Sequence, residues 1–392
     1  MVNAERLART FSEVVAIDSV SREEASVARF LQKRLEDLGL TVVMDSAGAA
    51  INGDAGNLVG RLKGNAGVPP LVFAAHMDTV EPGRGIQPVL SKGVFRSKGD
   101  TVLGADDKSA VAILLEVLEV LREDGIPHGP VEILFTVAEE IGLLGAKNLD
   151  YDLVSACMGY VLDMGDTEGI VLRSPSANRM EFLVHGKDAH AGVAPETGIN
   201  AISVAASAIA RLTPGRVDHE TTCNIGVIEG GNASNIVPSL VRVKGEARSH
   251  DEHKLSLVTR EMVAAFEDAV AEMNERVPAG LGQARVDITV ESDYTRLDIP
   301  EGHPSVVLAR AAAEKLGRTL AAKTSGGGFD ANILFAHGIV CGILGTGMTD
   351  VHTTREYVEL SQMVRAAELL LAIIRLHAEN PSGTPCEKRP QA

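Results

Sequence analysis

Two long apolar runs constrain the fold more than any other feature of this sequence. They are PLVFAAH at 70–76 and VEILFTV at 131–137, and neither alternates with polar residues as a half-exposed strand does. Strands without a polar face are buried on both sides of a sheet. The segment between them, 106–124, has the length of a helix and few polar breaks. Buried strands that alternate with helices predict an α/β domain, with a mostly parallel sheet between helices.

Further elements are predicted around this unit. Four more strands are LTVVMD and GNLVGRLKG, separated by a Gly/Ala-rich turn, and later GYVLDMGD and GIVCGILGTG. The first 40 residues are predicted to form two amphipathic helices. The second begins near Ser21, and Glu24 stands three residues later, where a capping box would place it.

The segment from Ser176 to Thr295 has a different order of elements. It reads strand, helix, strand, strand, helix, strand, which is the ferredoxin-like α+β order. Because α/β elements resume after it, we predict that it is inserted into the first domain. The predicted division is a catalytic domain in two parts, 1–175 and 296–377, an inserted domain, 176–295, and a polar, Pro-rich flexible tail, 378–392.

Composition and charge exclude some classes of partner. A chain of 392 residues is expected to form two domains. Its net charge of -16 and the absence of a basic run make nucleic acid and anionic membranes poor partners. We expect no signal peptide and no membrane span. The four cysteines have no pairing pattern or metal spacing, which favours a reducing, cytoplasmic location.

Histidine and carboxylate side chains follow the predicted strands. Ligands of open parallel sheets bind beyond the carboxyl ends of the strands, so these groups converge on one edge. Singly, each has a simpler explanation, such as a helix cap or a solvated acid. Together, several carboxylates in one crevice repel unless cations neutralise them, and the set suits two Zn²⁺ ions. Its members are His76, Asp78, Asp106, Asp107, Glu139, Glu140, Asp163 and His352.

Six motifs occur in the order typical of the dinuclear-zinc aminoacylase/carboxypeptidase metallopeptidase superfamily, and the peptidase T-like branch is the one that the sequence resembles most. The motifs are HMDTV, GADDKSA, AEEIGLLGAK, VLDMGD, GKDAHAG and VHTTREYV. The resemblance extends from the N-terminal helices to about residue 377. It implies that the inserted domain is a lid that also forms a homodimer, and that the Asp106–Asp107 peptide bond is cis.

The same resemblance implies the roles of the site residues. The implied ligands of two Zn²⁺ ions, for which Co²⁺ or Mn²⁺ could substitute, are His76, Asp106, Glu140, Asp163 and His352. Asp106 bridges the ions, Asp78 holds the His76 ring, and Glu139 is the general base. On the lid, His190 helps to stabilise the oxyanion.

Three further residues are predicted to bind substrate. Asn235 and Arg248 resemble lid residues that contact it, although an Asn in a turn or an Arg at a strand end is usually structural. Gly327 lies in TSGGGFDANIL, where backbone N–H groups could bind a peptide carboxylate, and a plain flexible turn remains the alternative.

These features predict a dinuclear zinc metallopeptidase that cleaves short peptides, as an aminopeptidase acting on tri- or dipeptides. A carboxypeptidase or an N-acyl-amino-acid deacylase of the same fold is the alternative. A metal-free peptide-binding protein is an alternative of another class, against which the complete ligand set argues.

Overall fold

The computed structural model describes residues 1–379, which contain ten α-helices. They are α1 (Ala4–Val15), α2 (Ala25–Asp37), α3 (Ala47–Ile51), α4 (Ala105–Asp124), α5 (Leu144–Lys147), α6 (Ala201–Ile209), α7 (Glu252–Arg276), α8 (Pro304–Lys315), α9 (Asp330–Ala336) and α10 (Leu360–Ala378). None of the helices in this part of the chain is both long and apolar enough to cross a membrane. The predicted tail, apart from its first two residues, lies outside the described residues.

The same part of the chain contains twenty strands. They are β1 (Thr41–Met44), β2 (Leu58–Leu62), β3 (Leu71–His76), β4 (Pro88–Ser91), β5 (Val94–Ser97), β6 (Val131–Thr136), β7 (Met158–Met164), β8 (Gly169–Ser174), β9 (Ser176–His185), β10 (Ala189–His190), β11 (Gly215–Arg216), β12 (Thr221–Gly230), β13 (Ile236–Val237), β14 (Leu240–Ser249), β15 (Arg285–Tyr294), β16 (Leu297–Asp298), β17 (Ala321–Thr324), β18 (Val340–Gly345), β19 (Met348–Thr349) and β20 (Tyr357–Glu359).

The chain divides into two compact units. Unit 2 contains 174–296 together with Ser325–Gly328, and unit 1 contains the remaining described residues. The short segment Ser325–Gly328 falls within 296–377, which the sequence assigned to the catalytic domain. It clusters instead with unit 2, where the Ser174 hydroxyl donates a hydrogen bond to the Gly327 carbonyl, 2.6 Å away.

Unit 1 is built on a nine-stranded mixed sheet. Along its main path the order is β1-β2-β6-β3-β7-β18-β8-β16, and β17 pairs with β8. The central strand β3 is parallel to both β6 and β7, and β18 is parallel to β7. Antiparallel pairs flank this centre. The predicted α/β class with a mostly parallel centre is therefore confirmed.

The apolar runs form the centre of the unit 1 core. Every residue of β3 and of β6 is buried, as strands covered on both faces must be. Helix α4 is buried along most of its length, which explains its few polar residues. The carboxyl ends of β3 and β6 lie side by side, because His76 is in register with Thr136.

Two local predictions differ from the structure, and one small sheet was not predicted. The Gly/Ala-rich turn after β1 contains the short helix α3. Strands β4, β5, β19 and β20 form a small sheet that the sequence did not indicate. The predicted capping box at Ser21 is wrong: α2 begins at Ala25, and its N-cap Glu24 makes no side-chain cap hydrogen bond. Glu24 is instead fully buried.

The long strands and the helices of unit 2 follow the predicted βαββαβ order, and the two-residue strands β10, β11 and β13 are additional. Its five-stranded sheet has the order β11-β12-β14-β9-β15, and the four long strands pair antiparallel. In β9, buried Met180, Phe182 and Val184 alternate with more exposed residues, so one face of the sheet is apolar. That face shares a hydrophobic core with α6 and α7.

Candidate metal centre

His76 and Asp78 lie at the carboxyl end of β3, and both are buried. The Nδ1 atom of His76 is 2.9 Å from the carbonyl oxygen of Asp78 and 3.4 Å from its Oδ1. Because Nδ1 is occupied in this way, Nε2 is directed to the other partner of the ring, Asp106.

The carboxylate of Asp78 has further partners. It accepts hydrogen bonds from the Ser21 hydroxyl at 2.6 Å and from the backbone N–H groups of Glu139 at 3.0 Å and Glu140 at 3.2 Å. The role predicted for Asp78 was to hold the His76 ring. In the structure its carboxylate also positions the main chain that carries the two glutamates.

Asp106 lies between two histidines at the start of α4. Its Oδ1 is 3.0 Å from Nε2 of His76, and its Oδ2 is 3.2 Å from Nε2 of His352. The peptide bond from Asp106 to Asp107 is cis, as the resemblance implied. Each oxygen of one carboxylate thus faces an imidazole from a different part of the chain, which is the arrangement that a bridging ligand requires.

Glu139, Glu140 and Asp163 complete the cluster. The two glutamates follow β6 after Ala138, whose φ of 50° is in the left-handed region that non-glycine residues rarely adopt. Oε1 of Glu140 is 2.9 Å from Nε2 of His352. Asp163, in β7, lies with Glu139 and His76 in a group whose ligand atoms are all within 4.8 Å of one another.

The donor set fits divalent cations. Three groups have all their ligand atoms within 4.8 Å of one another: His76, Asp106 and Glu140; His76, Glu139 and Asp163; and Asp106, Asp107 and Asp163. Imidazole nitrogens and carboxylate oxygens are the ligands that Zn²⁺ and its neighbours in the first transition row accept. Buried Oδ1 of Asp107 has no hydrogen-bond partner among residues 1–379, and such an unpartnered buried oxygen fits a group that the protein itself does not supply.

The electrostatics of the cluster agree with this interpretation. Burial raises the pKa of Glu139 and of Asp163 well above the ordinary value, and neighbouring carboxylates add to the effect. Hydrogen bonds to Asp106 and Glu140 raise the pKa of His352 to about 10. The buried acids resist ionisation because too little positive charge lies near them, whereas His352 retains its proton because the Asp106 and Glu140 carboxylates favour its positively charged form. Both effects show that the carboxylate cluster requires positive charge. Divalent cations would supply that charge.

Two buried acids at this site were missed by the sequence interpretation. Glu356 accepts hydrogen bonds from the backbone N–H groups of Leu103 at 2.7 Å, Gly104 at 2.8 Å and Asp106 at 2.9 Å. Asp330, at the start of α9, accepts a hydrogen bond from Thr136, and burial raises its pKa to about 6. Both stand inside motifs that the sequence had singled out, VHTTREYV and TSGGGFDANIL, but only the histidine and the glycines had been weighed.

The predicted lid residues lie in unit 2. His190, in β10, is exposed and in register with Ile236, and its Nδ1 accepts the backbone N–H of Gly192 at 3.1 Å. The Asn235 carbonyl accepts the N–H of Ala191 at 2.9 Å. The Ala191–Asn235 bond and the pairing of β10 with β13 connect the two segments that carry His190 and Asn235.

Arg248 lies beside the loop that carries Gly327, because its Nη1 is 3.5 Å from the carbonyl oxygen of Gly326. Nη2 of Arg248 is 3.0 Å from Oε2 of Glu246, and its buried Nε has no hydrogen-bond partner in the described chain. The N–H of Gly327 donates to the Ser325 hydroxyl at 3.0 Å. That N–H, proposed from sequence as an anion donor, is therefore used within its own loop.

Comparison with known proteins identifies relatives of nearly full length. The sequence profile of peptidase family M20/M25/M40 matches residues 72–376. The uncharacterized protein YqjE of Bacillus subtilis (strain 168) is 40% identical over 375 residues, which cover 95% of this chain and 99% of that protein. The chain is similar to the crystal structure of the aminopeptidase PepT from Bacillus cereus ATCC 10987, with 42% identity, a TM-score of 0.84, and coverage of 96% of this chain and 99% of the other. A tripeptidase from Staphylococcus aureus subsp. aureus mu50 is 37% identical, with a TM-score of 0.89 and coverage of 97% and 100%.

Proposed function

Because this chain belongs to peptidase family M20/M25/M40 and is a hydrolase of peptide bonds, we propose that it is an aminopeptidase for short peptides. The proposed substrates are tripeptides and dipeptides. The names of two similar structures, an aminopeptidase and a tripeptidase, support this choice over a carboxypeptidase or an N-acyl-amino-acid deacylase.

One observation carries the proposal: Asp106 presents one oxygen to His76 and the other to His352. This supports a centre of two divalent ions that share Asp106. The proposed outer ligands are His76 and Asp163 for one ion, and Glu140 and His352 for the other. Zn²⁺ is the proposed metal, with Co²⁺ or Mn²⁺ as substitutes.

Glu139 and Asp78 have separate roles in the proposed reaction. When bound, two divalent cations polarise a carbonyl group and make a water molecule more acidic. The Glu139 carboxylate accepts a proton from the attacking water and then delivers it to the departing amine. Asp78 holds the backbone N–H of Glu139, so the carboxylate that moves the proton stands on a fixed main chain.

Unit 2 is the proposed lid and the proposed surface of a homodimer. His190 would stabilise negative charge on the carbonyl oxygen, in its own chain or across a dimer, and Asn235, Arg248 and the Gly327 loop would contact the substrate. The roles of His190, Asn235 and Arg248 rest on the resemblance. The role of the Gly327 loop rests on its consecutive glycines, the hinged movement of the lid on its two connections to the rest of the chain, and the cytoplasmic location on the cysteine pattern.

A panel of tripeptides tests the proposal. The purified protein, loaded with zinc, is given the same tripeptide with both termini free, with its N-terminus acetylated and with its C-terminus amidated, and the released amino acids are measured. An aminopeptidase cleaves the free peptide, releases its first residue and rejects the acetylated one. Release of the last residue would indicate a carboxypeptidase, and release of acetate a deacylase. Binding of peptides without hydrolysis, in a protein that retains no zinc after the loading step, would indicate a metal-free peptide-binding protein.

A further inference from the structure

Four consecutive backbone N–H groups beyond β6 all donate hydrogen bonds to side chains. Val137 donates to Oδ1 of Asn57 at 3.1 Å, and Ala138 donates to Oε1 of Glu24 at 2.9 Å. The next two N–H groups, of the glutamate pair, donate to Asp78. The conformation of this turn is therefore held by polar side chains from the first 80 residues of the chain.

Glu24 is the member of this set whose burial helix capping does not explain. It is fully buried, 114 positions from Ala138 along the chain, and it was expected to cap α2, which it does not do. A buried carboxylate costs several kcal/mol unless hydrogen bonds compensate it, so an apolar residue would be expected at such a position. Its bond to Ala138 is made where the backbone is strained, since Ala138 has a φ of 50°.

We propose that Glu24 is a positioning residue for the Glu139–Glu140 pair. Its carboxylate holds the Ala138 N–H and thereby keeps the turn in the left-handed conformation that directs one glutamate to proton transfer and the other to the metal. The inference rests on the proposed function, and it concerns neither a ligand nor a residue that contacts the substrate.

The physical argument concerns a hydrogen-bond acceptor that lies out of reach of the solvent. Glu24 is inaccessible to solvent, so without its side chain the Ala138 N–H loses its acceptor. The turn could then recover a hydrogen bond only by leaving its strained conformation. Rotation at Ala138 moves the two residues that follow it, which are the proposed base and one proposed ligand. Loss of Glu24 therefore acts on the site through the backbone.

The experiment compares Glu24→Ala and Glu24→Gln with Glu23→Ala, a control at the exposed neighbouring acid. Gln retains a side-chain oxygen that can accept the Ala138 N–H, whereas Ala does not. Metal affinity is measured by competition with a chromogenic chelator. The values of kcat and KM are measured with a tripeptide substrate, and thermal stability is measured by calorimetry. We expect Glu24→Ala to lose about 10- to 100-fold in metal affinity or kcat. KM should change little, while Glu24→Gln and the control remain close to the wild type.

Two results would overturn the inference. One is a Glu24→Ala protein that melts earlier but has wild-type kcat and metal affinity, because Glu24 would then only support the fold. The other is a Glu24→Gln protein as impaired as Glu24→Ala, because the acceptor oxygen would then not be the essential feature. If Glu24→Ala does not fold, Glu24→Asp, whose shorter side chain withdraws the oxygen from Ala138, is judged by the same criteria. If the wild type lacks peptidase activity, the proposed function fails, and the metal affinities still test the role of Glu24.

Discussion

The carboxylate of Glu356 lies 2.9 Å from the backbone nitrogen of Asp106, although 250 residues separate the two in the sequence. Its other oxygen accepts the N–H groups of Leu103 and Gly104. Glu356 follows His352 by four residues, so one segment supplies a proposed ligand and also fixes the loop that carries the proposed bridging ligand. The segment that carries His352 and the segment that carries Asp106 are thus connected by a hydrogen bond between a backbone N–H and the Glu356 carboxylate.

Glu356→Ala should therefore destabilise the metal-free protein. Three buried N–H groups lose their acceptor, and each unsatisfied group costs about 1–3 kcal/mol, although the losses need not add. We expect a decrease of at least ~2 kcal/mol in the free energy of unfolding, measured by urea denaturation in the presence of chelator. Glu359→Ala, at an exposed acid in the same segment, is the control. Equal stability of the two variants would show that the loop does not depend on Glu356.

Asp106→Asn should lose at least one metal ion and nearly all activity. An amide offers one neutral oxygen ligand where the carboxylate offers two charged ones, and both Asp106 oxygens face a histidine. Elemental analysis after gel filtration gives the stoichiometry, with Asp100→Asn as the control in the exposed loop before α4. Two tightly held ions in Asp106→Asn would disprove the bridging role.

Glu139→Gln should keep both metal ions and lose catalysis. The amide cannot accept the proton from water, whereas none of the five proposed ligands has changed. Turnover should decrease by ~10²–10⁴ or more, with metal content unchanged. Near wild-type turnover would remove Glu139 from the mechanism, and a loss of metal would identify Glu139, rather than Glu140, as the ligand.

Removal of the metal should lower thermal stability as well as activity. Ligand atoms of Asp106, Asp107 and Asp163 lie within 4.8 Å of one another, and a cation relieves the repulsion between them only in the folded state. A ligand at 100 times its Kd that binds only the folded protein stabilises it by about 2.7 kcal/mol. Calorimetry with and without chelator should show a lower Tm without metal, recovered on adding Zn²⁺. An unchanged Tm, in a protein shown to have lost its metal, would contradict a tight site.

His190→Ala should keep both metals and lower kcat more than it changes KM, because stabilisation of the oxyanion acts in the transition state. Mixing this variant with Glu139→Gln distinguishes the two possible arrangements. If His190 acts across a dimer, some mixed dimers contain one site with both residues intact, and part of the activity returns. Mixed dimers without recovery would place His190 in the site of its own chain, or in none.

The fold was predictable where the pattern is local. An uninterrupted apolar run signals a strand covered on both faces, and β3 and β6 are buried at every residue. The order of elements in 176–295 likewise predicted the sheet of unit 2. The five-residue helix α3 was not predictable, because so short a helix is stabilised by its surroundings rather than by its own residues.

The clustering of His76, Asp106 and Glu139 was predictable. The carboxyl ends of parallel strands meet at one edge of the sheet, so residues that follow different strands lie together there even when they are far apart in the sequence. The hydrogen bonds of Glu24 and Glu356 could not be predicted from the sequence. Both are acids in polar segments, where solvation or a helix cap is the ordinary expectation. Only folding brings Glu24 to Ala138 and Glu356 to Asp106, since a hydrogen bond across more than 100 residues leaves no periodic trace in the sequence.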